Sequence, residues 1–146
     1  MSLVTDKVFY NALMSNASLV ETVDGRIYNT TIPVPDEELP NTPMPIIIIS
    51  FDGMQNGGFN KDSSYEGCVD KVQISIEVEA DDREQVMDIV QAVRDTVSSY
   101  FENAEEGQDD YELVPLDYQL SASPVEYDSK VPCFFQSLLY NCDTNP

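Results

Sequence analysis

No histidine occurs anywhere in the 146-residue sequence, which removes Ser-His and Cys-His dyads and every metal site built on imidazole. The chemical resource present in quantity is the carboxylate. Asp and Glu number 27, and such groups serve either as acid and base pairs or as oxygen ligands for a divalent cation. The best-spaced oxygen run is Asn60, Asp62, Ser64 and Glu66, but Tyr65 stands where a calcium loop needs glycine, and Lys71 where it needs the bidentate glutamate. Asp81, Asp82 and Glu84 precede an apolar helical stripe, and their chemistry is that of helix capping, with Asp81 and Glu84 at capping-box spacing. No phosphate loop is present, and Gly57-Gly58 lacks the preceding strand and following helix that a phosphate cradle requires. Cys68, Cys133 and Cys142 are odd in number with no CxxC pair, so they read as reduced structural thiols. Asn16-Ala17-Ser18 and Asn29-Thr30-Thr31 match a glycosylation pattern without a secretory signal beside them, and neither is assigned. The sequence therefore assigns no catalytic, cofactor-binding or metal-binding residue, and the expectation is a structural or binding part rather than an enzyme.

Charge sets the next bound. Seven basic residues against 27 acidic ones give a formal charge of −20, which repels phosphate backbones and anionic membrane surfaces. That charge argues against ordinary nucleic-acid binding. Two readings of the acidity stand side by side: solubility, and a surface that must not stick to a polyanion. Hydrophobic residues make up 42% of the chain, enough for a folded core, and the length fits one domain over 1–146. No apolar run reaches the roughly 18 residues of a membrane span. Residues Met1 to Tyr10 lack the basic region and long apolar segment of a signal peptide, so a cytoplasmic origin without membrane contact is expected.

The elements that must position these residues follow from periodicity. Val8, Phe9, Ala12 and Leu13 predict a helix from about Thr5 to Ser15, with one more turn around Leu19 and Val20 before an Asp24-Gly25 turn and a short strand, Arg26 to Tyr28. Five prolines between Thr31 and Pro45 predict an extended loop. The run Ile46 to Phe51 predicts a central strand covered on both faces, and Asp52 to Gly67 a long connection or flap. Val72, Ile74, Ile76 and Val78 alternate with polar residues and predict a strand with one buried face. Val86, Ile89, Val90, Val93, Val97 and Phe101 form the stripe of the main helix, Asp81 to Phe101. An acidic stretch, Glu102 to Asp110, reads as a solvated loop; two antiparallel strands, Leu113 to Ala122 and Cys133 to Asn141, complete the chain. The order α-β-β-β-α-β-β is an α+β pattern, a mainly antiparallel sheet of four or five strands with helices packed on one face.

These ordered features, an N-terminal helix, Gly25-Arg26-Ile27-Tyr28, a proline loop ending in Pro45-Ile46-Ile47-Ile48, the Val72 to Val78 strand and the Asp81 to Phe101 helix, give the chain a resemblance to a known family. It resembles the small tail-completion or tail-terminator proteins of long-tailed bacteriophages and prophages, from about Val8 to Tyr140. The resemblance implies a subunit that assembles as a ring, commonly six-fold. That ring caps the tail tube and joins it to the head connector, first in the bacterial cytoplasm and then in the virion tail. Partners implied are further copies of the chain, the tail tube protein and the head-tail connector, with DNA passing through unbound and no cofactor. The sequence departs from the family in its longer Asp52 to Gly67 loop, the acidic Glu102 to Asp110 stretch and a last strand with few charges.

A ring that DNA traverses benefits from a lumen that repels phosphate. Glu77, Glu79, Glu105, Glu106, Asp109 and Asp110 are the candidate lumen-facing acids; Asn56, Phe59, Asn60 and Asp62 on the polar flap are candidate subunit contacts, together with the Pro33 to Pro45 loop and exposed strand edges, since a sheet edge is a template for a neighbour. Two rival functions use the same carboxylates. An acidic module that mimics nucleic acid would occupy a basic site on a DNA-binding protein as a monomer, and a metal-assisted hydrolase would gather several acids in one pocket.

Overall fold

The computed structural model describes residues 2–29, 43–56 and 69–145. Most of the proline loop and of the predicted flap, with Phe59, Asn60, Asp62 and Cys68, lies outside the described residues. The rest forms an α+β fold, as the pattern requires: three α-helices on one face of a sheet that has six strands among the described residues. The helices are α1 (Asp6–Met14), α2 (Ala17–Thr22) and α3 (Arg83–Glu102). The strands are β1 (Ile27–Asn29), β2 (Ile46–Asn56), β3 (Asp70–Ala80), β4 (Asp117–Ala122), β5 (Glu126–Asp128) and β6 (Cys133–Thr144).

Sheet order is β1-β2-β3-β6-β4, with β5 also pairing β6. All pairs are antiparallel except β1 with β2, where Ile27 faces Ile47 in parallel register. The strand count exceeds the four or five expected because Glu126–Asp128, read in the sequence as turn, forms its own short pairing with Phe135 to Cys133. A second difference is the length of β2. Gly53 and the polar residues to Asn56 stay paired with β3 after a bulge between Phe51 and Gly53, so the strand runs five residues into the predicted flap.

The alternation of β3 does what its period dictates. Val72, Ile74, Ile76 and Val78 are fully buried, and across the ladders Ile76 faces Ile49 and Leu138. α3 lays Val86, Ile89, Val90, Val93 and Val97 onto that surface, each buried side chain contributing about 1.5–3 kcal/mol of transfer free energy. Val8, Phe9 and Leu13 of α1 enter the same core. β2 is internal as expected, but its second face is only partly covered, Ile46 being buried and Ile48 half-buried.

Helix ends follow local chemistry. α3 is capped by Asp82, whose carboxylate accepts from the Glu84 amide at 3.0 Å, so the cap sits one residue after the predicted Asp81. α2 stops in a Schellman motif: Asp24 takes a left-handed φ of 51°, its amide bonds to Glu21 O at 3.1 Å, and the Gly25 amide to Val20 O at 2.9 Å.

Candidate functional site

The face of the sheet opposite the helices carries the first group of acids. Glu77 on β3 lies between Ile48 on β2 and Ser137 on β6; Glu79 lies between Ile46 and Phe135. β5 adds Asp128, paired with Cys133 on the same face. Both glutamates are half-buried among these apolar neighbours. Burial raises the pKa of Glu79 to about 7, helped by the negative charges of Glu77 and Asp128. Glu77 is also raised, first by burial and then by Asp128, against a hydrogen bond from Ser137. Cys133 beneath them is buried, its thiol pushed up to about 11 by burial and the surrounding carboxylates, so it is not a ready nucleophile. Cys142, also buried and free, is held up to about 12 by burial and then by Asp143.

The second group lies on the segment after α3. Glu105, Glu106 and Asp109 are exposed there. Asp110 is not: it is 6% exposed and accepts hydrogen bonds from Tyr100 Oη at 2.6 Å, Gln108 Nε2 at 2.6 Å and Asn11 Nδ2 at 3.1 Å. Burial alone would raise its pKa, but the three side-chain donors, with a backbone hydrogen bond, outweigh it and hold the carboxyl below its ordinary value. Tyr100 is correspondingly raised to about 12, by burial first and then by Asp110. Asp110 is therefore corrected from a lumen candidate to an internal clasp joining α1, the end of α3 and the acidic segment.

The predicted acids thus fall on two separate surfaces. Glu77 and Glu79 share the open sheet face, whereas Glu105, Glu106 and Asp109 belong to the helix layer on the other side. Asn56, at the end of β2 opposite Asp70, is exposed; the other three contact candidates lie outside the described residues. Sequence reasoning missed Asp128, whose signal was visible only once Glu126–Asp128 is recognised as a strand facing Cys133.

The surface clefts among the described residues include two of note. One, of about 420 Å³, lies at the end of the sheet and presents Lys71, Gln73, Gln119 and Asn141, with Lys71 paired to Asp143 at 3.1 Å. The other, of about 360 Å³, runs between α3 and the β4–β6 edge. Among the described residues no group of three or more His, Cys, Asp or Glu is arranged to hold a metal ion, and no helix is long and apolar enough to cross a membrane.

No protein-family model matches the sequence, and no curated protein matches it. Among solved structures, a chain of the virion of a native gene transfer agent (GTA) particle matches with a TM-score of 0.66, at 13% sequence identity, over 94% of this chain and 92% of that one. The two chains share a fold along almost their whole lengths.

Proposed function

We propose that this chain is a structural protein of a phage-like virion, a tail-terminator or tail-completion subunit that forms a ring, caps the tail tube and meets the head connector, with no reaction of its own. The observation that carries this reading is the fold shared end to end with a virion chain of a gene transfer agent particle. The order of elements that gave the sequence its resemblance to tail-completion proteins is also the order in the fold. The −20 charge supports the same reading, because a channel component must let DNA pass without holding it. On this proposal Glu77 and Glu79, on the sheet face opposite the helices, are the lumen-facing candidates.

The test is electron microscopy of the gold-labelled full chain mixed with tail tubes prepared from phage-like particles of the producing strain. Label at a single tube end is the expected result. Label along the tube wall or none on tubes overturns the terminator reading, and absence of the chain from purified particles overturns the virion reading as well.

A further inference from the structure

Two of the chain's seven basic residues, Arg83 and Arg94, stand on one stripe of α3, one above the other with Met87 and Val90 between them. Their rise along the axis is about 16 Å. Facing them across the 360 Å³ cleft are Leu120 on β4, the last strand in the sheet order among the described residues, and Val125. The arginines are exposed, Met87 is 47% exposed, and neither arginine is in an ion pair among the described residues. A trough of mixed lining, with Gln91 and Gln136 beside its apolar residues and a cation at each end, has a complement on the same chain, a molecule of net charge −20. The segment after α3 presents exposed Glu105, Glu106 and Asp109, followed by exposed Tyr111 and Leu116.

We propose that the α3–β4 cleft is the receiving half of a head-to-tail contact, and that its occupant is the acidic segment of a second copy of this chain. Within one molecule the two halves are not paired: no salt bridge joins Arg83 or Arg94 to Glu105, Glu106 or Asp109 among the described residues. α3 is 20 residues long, about 30 Å, and the cleft lies over its first two-thirds while the acidic segment leaves its far end. One surface near each end of one helix makes a heterologous contact, which propagates from copy to copy until it closes as a ring or continues as a fibre. Carboxylates meeting the arginines bring charge-assisted hydrogen bonds, and Tyr111 and Leu116 supply apolar surface for the exposed Met87. The contact also lowers the repulsion between copies that a −20 charge otherwise imposes.

The experiment uses the full chain carrying Arg83→Lys and Arg94→Lys, which keep the charge and provide amines for carbodiimide coupling to carboxylates. Equal amounts of ¹⁴N and ¹⁵N protein are mixed, coupled at low salt and mapped by mass spectrometry. The expected result is mixed-isotope links from positions 83 and 94 to Glu105, Glu106 or Asp109. Their yield should fall several-fold near 1 M salt, where the Debye length is about 3 Å, and in a partner carrying Glu105→Gln, Glu106→Gln and Asp109→Asn. Links only within one isotope, or mixed links spread over the surface acids without preference for that segment, overturn the proposal. As a second readout, Arg83→Glu/Arg94→Glu and Glu105→Arg/Glu106→Arg proteins should each sediment as monomers and associate when mixed; failure to associate also counts against the contact. This inference goes beyond the virion reading and does not rest on it: incorporation into particles without these links would overturn the contact alone.

Discussion

Tyr100 Oη donates to Asp110 Oδ2 at 2.6 Å, tying the last turns of α3 to the residue that ends the acidic segment. Gln108 reinforces the pair from within the segment, and Asn11 brings α1 into it. A segment rich in like charge would otherwise splay into solvent; the clasp gives it one conformation and so a defined surface.

Replacing Asp110 with Ala should destabilise the fold by roughly 2 kcal/mol, because three donors lose their acceptor in a buried position. The Asp110 pKa is depressed in the folded state, so its contribution is present above the unfolded value of about 3.9 and is lost as pH falls through the lower folded value. Urea unfolding of both proteins at pH 7 and at low pH checks this: the gap between them should narrow at low pH, and an equal gap at both would show that Asp110 does not act as a carboxylate.

Glu79 carries the opposite sign. Its folded pKa of about 7 lies above the unfolded value of about 4.3, so the stability linked to its protonated form is full below the lower value and is lost as pH rises through the higher. The Glu77 and Asp128 carboxylates on the same face, on β3 and β5, add to the effect. Glu79→Gln should raise stability at pH 8 by roughly 1 kcal/mol, after discounting for screening at a half-exposed site, and leave pH 5 almost unchanged. Thermal melts at the two pH values decide; a loss at pH 8 would mean that the ionised side chain holds a stabilising partner.

Legibility of the sequence was uneven for physical reasons. The β3 alternation and the α3 stripe are amphipathic patterns long enough to fix element, face and partner layer, and those positions were readable to within two residues. β2 beyond Phe51 was not, because Gly53, Gln55 and Asn56 have no strand preference of their own and are held by pairing with β3. The surfaces were harder still. Glu77 and Glu79 read as part of an open polar face because Gln73 and Ser75 share it; the apolar residues beside them, Ile46, Ile48 and Phe135, come from other strands. Asp110 looked like one more acid in an acidic run, and nothing local announces that Asn11, far back in the chain, donates to it.

Asn16 shows how a motif misleads. It begins a glycosylation pattern, yet its Oδ1 caps α2 by accepting from the Leu19 amide at 3.2 Å while Nδ2 donates to Thr96 Oγ1 on α3 at 2.9 Å. Asn16→Ala should destabilise by about 1–2 kcal/mol, and Asn16→Asp, which keeps the cap acceptor and loses the donor to Thr96, by less. Equilibrium denaturation of the two variants ranks the roles; equal losses would assign the whole effect to the α3 contact.

Tyr140 Oη is the buried side-chain polar atom without a hydrogen-bond partner among the described residues, although its ring is well placed, 5.0 Å from Phe9 and 5.5 Å from Tyr118 between centroids. An unpaired buried hydroxyl is unfavourable, and burial pushes the phenol pKa far up, so it remains protonated. Tyr140→Phe keeps the ring contacts and removes the orphan, and should stabilise the fold by about 1 kcal/mol, with the denaturant midpoint rising and the slope unchanged. The variant should also leave the onset of tyrosinate absorbance as in the parent, since burial holds this phenol protonated well beyond an ordinary tyrosine. A lower midpoint would instead reveal a partner for the hydroxyl, such as a buried water, and would make this position part of a polar network in the core rather than a packing residue.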